Sequence, residues 1–416
     1  MNPDDGEVRG LAPFLFGALT LPVGIAQGFV SVTLSYVLRH HGVSVVEIAG
    51  LVGLNLLPQT WRFLIGPLLD MSLSSTRWYM ICVAAIMISL LAMAAAPLTS
   101  ATMPLLDALA LVMGVGLAAG SSSIAAVMAQ TTPDARRGAV AGWVTTGNLG
   151  GIGVGGGAGL WLATHAGGPM AAALALIAIG LVCAAPILWV RVPPRMPGVA
   201  LTVQATTLGR DFWALLRTRR GVLAALVVTI PASLGAASNL FAAVAGDWRA
   251  SADLVAMVTG VLGGLAAVPG CVLAGYLCDR FPRRIVYIWV ALACAAGEAA
   301  MAWAPHTPLW FAGMVLGNGL LLGAGYSALS AVQFECLGPR SAATVASVLG
   351  SLANLPLVVM IPVVGWVQTR HGSTAMLLCE AGVAVISVAG YAALAYAWRP
   401  EAARGLTVAG LAGAEA

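Results

Sequence analysis

From Leu11 to Trp398 long apolar runs alternate with short polar breaks, and the runs themselves carry almost no charge. Many reach the roughly 20 residues that an α-helix needs to cross the hydrocarbon core of a bilayer. The pattern predicts twelve spans, at 11–38, 46–69, 78–98, 104–129, 138–163, 170–190, 221–245, 253–278, 284–304, 308–332, 342–367 and 373–398. A more polar stretch, Arg191 to Arg220, separates the sixth from the seventh. Its piece from Arg210 to Arg217 suits an amphipathic helix lying on the membrane surface. The expectation is an all-α membrane protein with an N-terminal unit at 1–190, a linker at 191–220 and a C-terminal unit at 221–416.

Composition agrees. The chain is 60% hydrophobic and 9% charged, with mean hydropathy +0.93, whereas soluble domains carry about 25% charged residues. The net charge of +4 comes from Arg alone, since there is no Lys. In this setting it encodes topology and does not point to nucleic acid. Only Arg39, Arg249 and Arg370 fall in loops on one side, Arg62 lies inside a span, and every other Arg falls on the opposite side. The positive-inside rule therefore places both termini in the cytoplasm, for a multi-pass protein of the cytoplasmic membrane. The first apolar run is too long for a signal-peptide core and is expected to stay as a helix. Seven Cys lie in or beside apolar runs without a Cys-x-x-Cys, so they read as small buried residues with no metal site. All five His fall in loops predicted to be outside.

The chain repeats itself. Pro133 and Pro339, Asn148 and Asn354, and His165 and His371 are each 206 residues apart. A repeat of six spans gives two halves in the same orientation, related about the membrane normal. A charged loop is also repeated: Gly275-Tyr276-Leu277-Cys278-Asp279-Arg280-Phe281-Pro282-Arg283-Arg284 is echoed by Gly66-Pro67-Leu68-Leu69-Asp70 with Arg77 following. Asp at such a boundary can accept from Arg and from the amides that open the next helix.

Two six-helix halves, a central cytoplasmic loop and a Gly-x-Leu-x-Asp-Arg-x-x-Arg-Arg loop between spans 8 and 9 resemble the major facilitator superfamily, over the whole chain. The first copy departs from the pattern, with Met71 in place of the Arg after Asp70. Within the superfamily, the Gly66–Asp70 ending and the Pro339-Arg340-Ser341-Ala342-Ala343-Thr344 opening of span 11 look like the AmpG-type muropeptide permeases, relatives of acetyl-coenzyme A transporters and single-chain siderophore permeases. The resemblance implies a monomeric secondary transporter, with spans 1, 4, 7 and 10 around a central path and spans 9 and 12 at the periphery.

Several polar residues inside the spans are candidates for that path. A buried amide in lipid is costly unless it faces a cavity or a partner. Thr20, Gly24, Gln27 and Ser31 share one face of span 1; Gln27 either lines the cavity or bonds a neighbouring helix. Asn318 and Tyr326 of span 10 fall under the same two readings. Asn55, Gln59 and Arg62 recur at steps of 4 and 3 on span 2. Arg62 either snorkels to the inner surface or pairs with an anionic group on the solute. Asn148 and Asn354 reach substrate or bond across the halves. Gly147, Gly151, Gly155 and Gly159 form a ridge suited to close helix packing. Glu298, Glu380 and Asp107 are carboxylates that could load a proton, the alternative for the two Glu being a bond to a neighbouring helix. Gly66, Asp70, Arg77, Gly275, Asp279, Arg280, Arg283 and Arg284 would latch the inner side in one state and release it in the other.

No nucleophile elbow, Gly-x-x-x-x-Gly-Lys loop or His-Glu-x-x-His is present, so no enzyme activity and no cofactor are expected. The predicted function is gradient-driven movement of a small polar or amphiphilic organic solute, by proton-coupled uptake. Efflux by proton antiport, and a non-transporting sensor or scaffold, are the alternatives. Expected partners are the solute, protons and membrane lipid.

Overall fold

The computed structural model describes residues 12–71, 73–132, 137–190, 235–335 and 342–398, with scattered positions between 210 and 229. Its described residues are helical, without strands. The helices are α1 (Pro13–His40), α2 (45–71), α3 (Ser75–Ala95), α4 (Met103–Thr131), α5 (137–165), α6 (Gly168–Trp189), α7 (237–248), α8 (252–280), α9 (Arg283–Trp303), α10 (Pro308–Glu335), α11 (342–371) and α12 (373–397). Eleven of them match predicted spans; the predicted seventh span, 221–245, and the linker at 191–220 with its surface helix at 210–217 lie largely outside the described residues. Among the described residues eight helical stretches are long and apolar enough to cross a membrane, and one of these, Gly350–Ala397, is two spans joined at Gly372, where φ is 82°.

Local chemistry sets the ends. Ser44 and Glu47 form a capping box at the start of α2, the Glu47 carboxylate accepting from the Ser44 amide at 3.0 Å. Ser74 and Ser251 cap α3 and α8. "Inner" and "outer" below follow the sides assigned by Arg. Apolar side chains cover the outward surface: Trp303 and Leu309 are 74% and 81% exposed, which only lipid makes tolerable.

Because lipid removes the hydrophobic drive between helices, close backbone contact must hold them together. The ridge on α5 does this against α1. A methyl group at Gly151 would stand 2.5 Å from the Leu21 carbonyl oxygen, and one at Gly147, Gly155, Gly24 or Gly28 would also overlap backbone of the facing helix. Both helices widen into π turns where they meet, Phe29–Leu34 and Val154–Ala158. The Thr33 hydroxyl donates to the carbonyls of Gly155 and Gly156 at 2.8 and 3.2 Å.

The halves mirror each other. Gly114 of α4 packs on the Asn55 carbonyl of α2, and Gly319 of α10 packs on the Gly263 carbonyl of α8. The halves meet along α2–α11 and α5–α8. On the outer side the Val46 amide donates to the Thr369 hydroxyl at 3.2 Å, Gly365 lies against Ala49, and Gly157 abuts Gly260. His165 and Asp253 approach to 3.5 Å at the rim. Deeper in, the Phe63 amide donates to the Ser351 hydroxyl at 3.3 Å.

Candidate functional site

On the N-terminal side, α2 does not present one continuous helical face. A 3-10 stretch, Leu57–Trp61, interrupts it beside Pro58, so the steps of 4 and 3 expected for Asn55, Gln59 and Arg62 are not those of an unbroken α-helix. Asn55 is buried and donates to the Ala110 carbonyl of α4 at 3.2 Å, which makes it a strut between the two helices. Arg62 is half-buried and turned to the same helix, its Nε donating to Ser122 Oγ at 3.1 Å. Among the described residues no carboxylate stands within ion-pair distance of Arg62. A guanidinium carries five N–H donors, and one bond to a hydroxyl leaves the rest for another acceptor.

Gln27 of α1, Gln59 of α2, Asn148 of α5 and Asn318 of α10 are half-buried, and among the described residues their side-chain amides make no hydrogen bond. An amide left open inside a lipid-embedded bundle is costly, so these four positions fit a wet, solute-accepting interior. Asn354 is different: it donates to the Gly350 carbonyl of its own helix at 2.8 Å. Tyr326 of α10 is 43% exposed. Thr20 and Ser31 bond back to carbonyls of α1, and Gly24 faces α5.

In the C-terminal half a cavity of about 80 Å³ lies between α7, α9 and α10, walled by Phe241, Met301, Met314 and Leu321, with Glu298 and Asn318 as its polar groups. Glu298 is 7% exposed and its Oε2 has no hydrogen-bond partner. Next to it on α12, Glu380 is buried and differently served: its two oxygens accept from the backbone amides of Ala236 and Ala237 at 2.5 and 2.6 Å. Those amides open α7 just after Gly235, whose backbone is left-handed with φ of 59°. The Gly235 carbonyl accepts from the side chains of Ser238 and Asn239, at 2.6 and 3.1 Å. Asp107, near the outer end of α4, has a buried Oδ1 without a partner.

The inner-side loops are only partly described. Gly66 and Asp70 lie on α2, and Gly275 and Asp279 on α8, but the side chains of Asp70 and Asp279 fall outside the described residues. Arg280 stacks over the Tyr276 ring at 4.3 Å. The Arg77 amide donates to the Ser74 cap at 3.4 Å, and its side chain is exposed. Arg283 and Arg284 are half-buried at the start of α9.

Sequence reasoning missed Thr33, Ser122, Gly260 and the left-handed Gly235. Pro231 and Gly235, in the middle of a predicted span, were the available sign of it. Gly17, Gly24 and Gly28 were the sign of the surface that meets the α5 ridge.

This is the architecture of a solute carrier: two equivalent helical halves meeting at small-residue seams, with polar groups held in the interior. Residues 16–360 match the family profile of the Major Facilitator Superfamily, and the chain belongs to that family. Among solved structures it is similar to a substituted variant of the nucleoside transporter NupG, with TM-score 0.72 and 15% identity over 91% of this chain and 98% of that one. It is also similar to NupG without that substitution, with TM-score 0.67 and 14% identity over the same shares. No curated protein matches the sequence. It is a multi-pass membrane protein with a transporter fold.

Proposed function

We propose that the chain is a proton-coupled importer of a small organic solute bearing an anionic group, working by alternating access in the cytoplasmic membrane with both termini inside. The observation that carries this is Arg62, an Arg within a span whose guanidinium has only the Ser122 hydroxyl for a partner among the described residues. An unpaired interior charge is costly in lipid and marks a ligand or a pathway. The open amides of Gln27, Gln59, Asn148 and Asn318 supply neutral donors and acceptors for the rest of the solute. Glu298 and Glu380 are the coupling residues, with Asp107 as a further carboxylate on the outer side, and the monomer is the working unit. A muropeptide-, siderophore- or acyl-carrier-like solute fits both an anionic anchor and the resemblance to the AmpG-type group. The nucleoside of NupG is not carried over, because 15% identity conveys the fold alone.

A thermal-shift screen of purified protein against anionic and uncharged solutes tests the reading. Anionic solutes should raise the unfolding temperature of the wild type and lose that effect in Arg62→Gln. Stabilisation by uncharged solutes alone, or equal effects in both proteins, would overturn it.

A further inference from the structure

The start of α7 carries more than a turn. In lipid every backbone polar group needs an internal partner, and the start of α7 just after Gly235 leaves amides that no earlier turn of that helix can serve. Glu380 meets two of them at once, one per carboxylate oxygen, at 2.5 and 2.6 Å. An ionised carboxylate is acceptor-only, but a protonated one carries an O–H donor on one oxygen. Two amides can therefore be held fully by the anion and not by the acid. The grip extends along the segment, because the Ser373 hydroxyl at the start of α12 donates to Asp247 at the far end of α7. The outer part of α7 thus rides on α12.

The second observation is Glu298. Its Oε2 is buried and unpartnered, and Glu298 stands on the wall of the cavity that also borders α7 at Phe241. Glu380 does not line that cavity, yet the two carboxyls are within electrostatic reach of each other. The small residues Ala291, Ala295, Ala381 and Ala384 bring their helices together. Other groups nearby are few. Cys294 of α9 lies in range of both carboxyls and Cys379 of α12 in range of Glu380, α10 brings Asn318, and α7 brings Asp247, already held by Ser373. At the outer end of α7, His306 stacks on the Trp248 ring at 5.0 Å, and toward the same outer end the other half carries Tyr36 on α1 and Glu47 on α2, the latter held by Ser44 and Ser100.

Resting on the proton-coupled reading above, we propose that Glu298 and Glu380 form one proton site, and that the charge on Glu380 latches the start of α7. With Glu380 ionised, the Ala236 and Ala237 amides are held and α7 is fixed to α12. A proton that enters by way of the cavity and Glu298 and settles on a Glu380 oxygen displaces one amide. That frees the outer part of α7 to move, and loss of the proton restores the grip. Proton binding is in this way tied to motion of a helix that borders the path. Glu380 acts here as a positioning residue for α7.

Hydrogen–deuterium exchange of the peptide containing Ala236 and Ala237, in the purified full chain, tests the latch without needing a solute. After correction for intrinsic chemistry, exchange in the wild type should quicken on the order of tenfold between neutral and acidic buffer. In Glu380→Gln it should be fast at both, while in Glu298→Gln it should stay slow at neutral pH. Slow exchange in Glu380→Gln, or a wild-type rate indifferent to pH, would overturn the latch; the wild-type series decides if the variant fails to fold. Proteoliposome uptake is scored separately: solute flux indifferent to a proton gradient sinks the coupling reading, whereas coupled flux with unchanged exchange sinks only the latch.

Discussion

Gly151 of α5 lies so near the Leu21 carbonyl of α1 that a methyl group in its place would sit 2.5 Å from the oxygen. One residue earlier, Gly150 faces open space, with nothing within 4 Å of such a methyl. Gly151→Ala should therefore cost about 1–3 kcal/mol through overpacking, seen as a lower unfolding temperature in detergent. Gly150→Ala should be neutral or slightly stabilising, because Ala is the better helix former. Equal effects at the two positions would show that α1 and α5 are not in backbone contact.

The seam was legible in part. A four-residue glycine period announces a packing ridge, and Gly147, Gly151 and Gly155 indeed meet α1. What the period cannot carry is the π turn in each helix and the Thr33 hydroxyl that serves the carbonyls exposed there, since these depend on the partner's shape. The polar candidates divide for the same reason. Asn55 and Gln59 look alike in sequence, yet only Asn55 finds a carbonyl across the helix pair, at Ala110. Glu380 was visible as a deep carboxylate. Its partners are backbone amides at the start of a helix, and no side-chain pattern announces those.

Arg62 and Ser122 give a graded test of the solute site. Arg62→Gln should weaken binding of the anionic solute by about 2 kcal/mol, roughly thirtyfold in Kd. Arg62→Lys should recover only part of this, since a point charge replaces a planar fork. Ser122→Ala should cost less than either. Titration calorimetry with the solute found by the screen measures all three, and full affinity in Arg62→Gln would remove Arg62 from the site.

Gly365 of α11 is pressed against Ala49 and the Val45 carbonyl of α2 on the outer side. Gly365→Val should hold this seam apart and leave the outer path open. A cysteine introduced at Ala49 should then react with a membrane-impermeant thiol reagent several-fold faster than in the unwedged protein, while uptake falls. Unchanged reactivity would mean that the seam does not close the outer path.

Asp279 and Arg280 end α8, and Arg283 and Arg284 open α9, on the inner side of the second half. On the latch reading, Asp279→Asn should cut transport strongly while leaving membrane expression and unfolding temperature near wild type. Normal uptake in this variant would refute the gating role.

Solute accumulation in proteoliposomes under an imposed proton gradient, acid outside, tests the central claim most directly. The wild type should concentrate the solute inward, lose that accumulation when a protonophore collapses the gradient, and lose it in Glu298→Gln, which should still exchange labelled for unlabelled solute. Accumulation that persists without the gradient, or no solute movement at all in folded protein, would contradict the account.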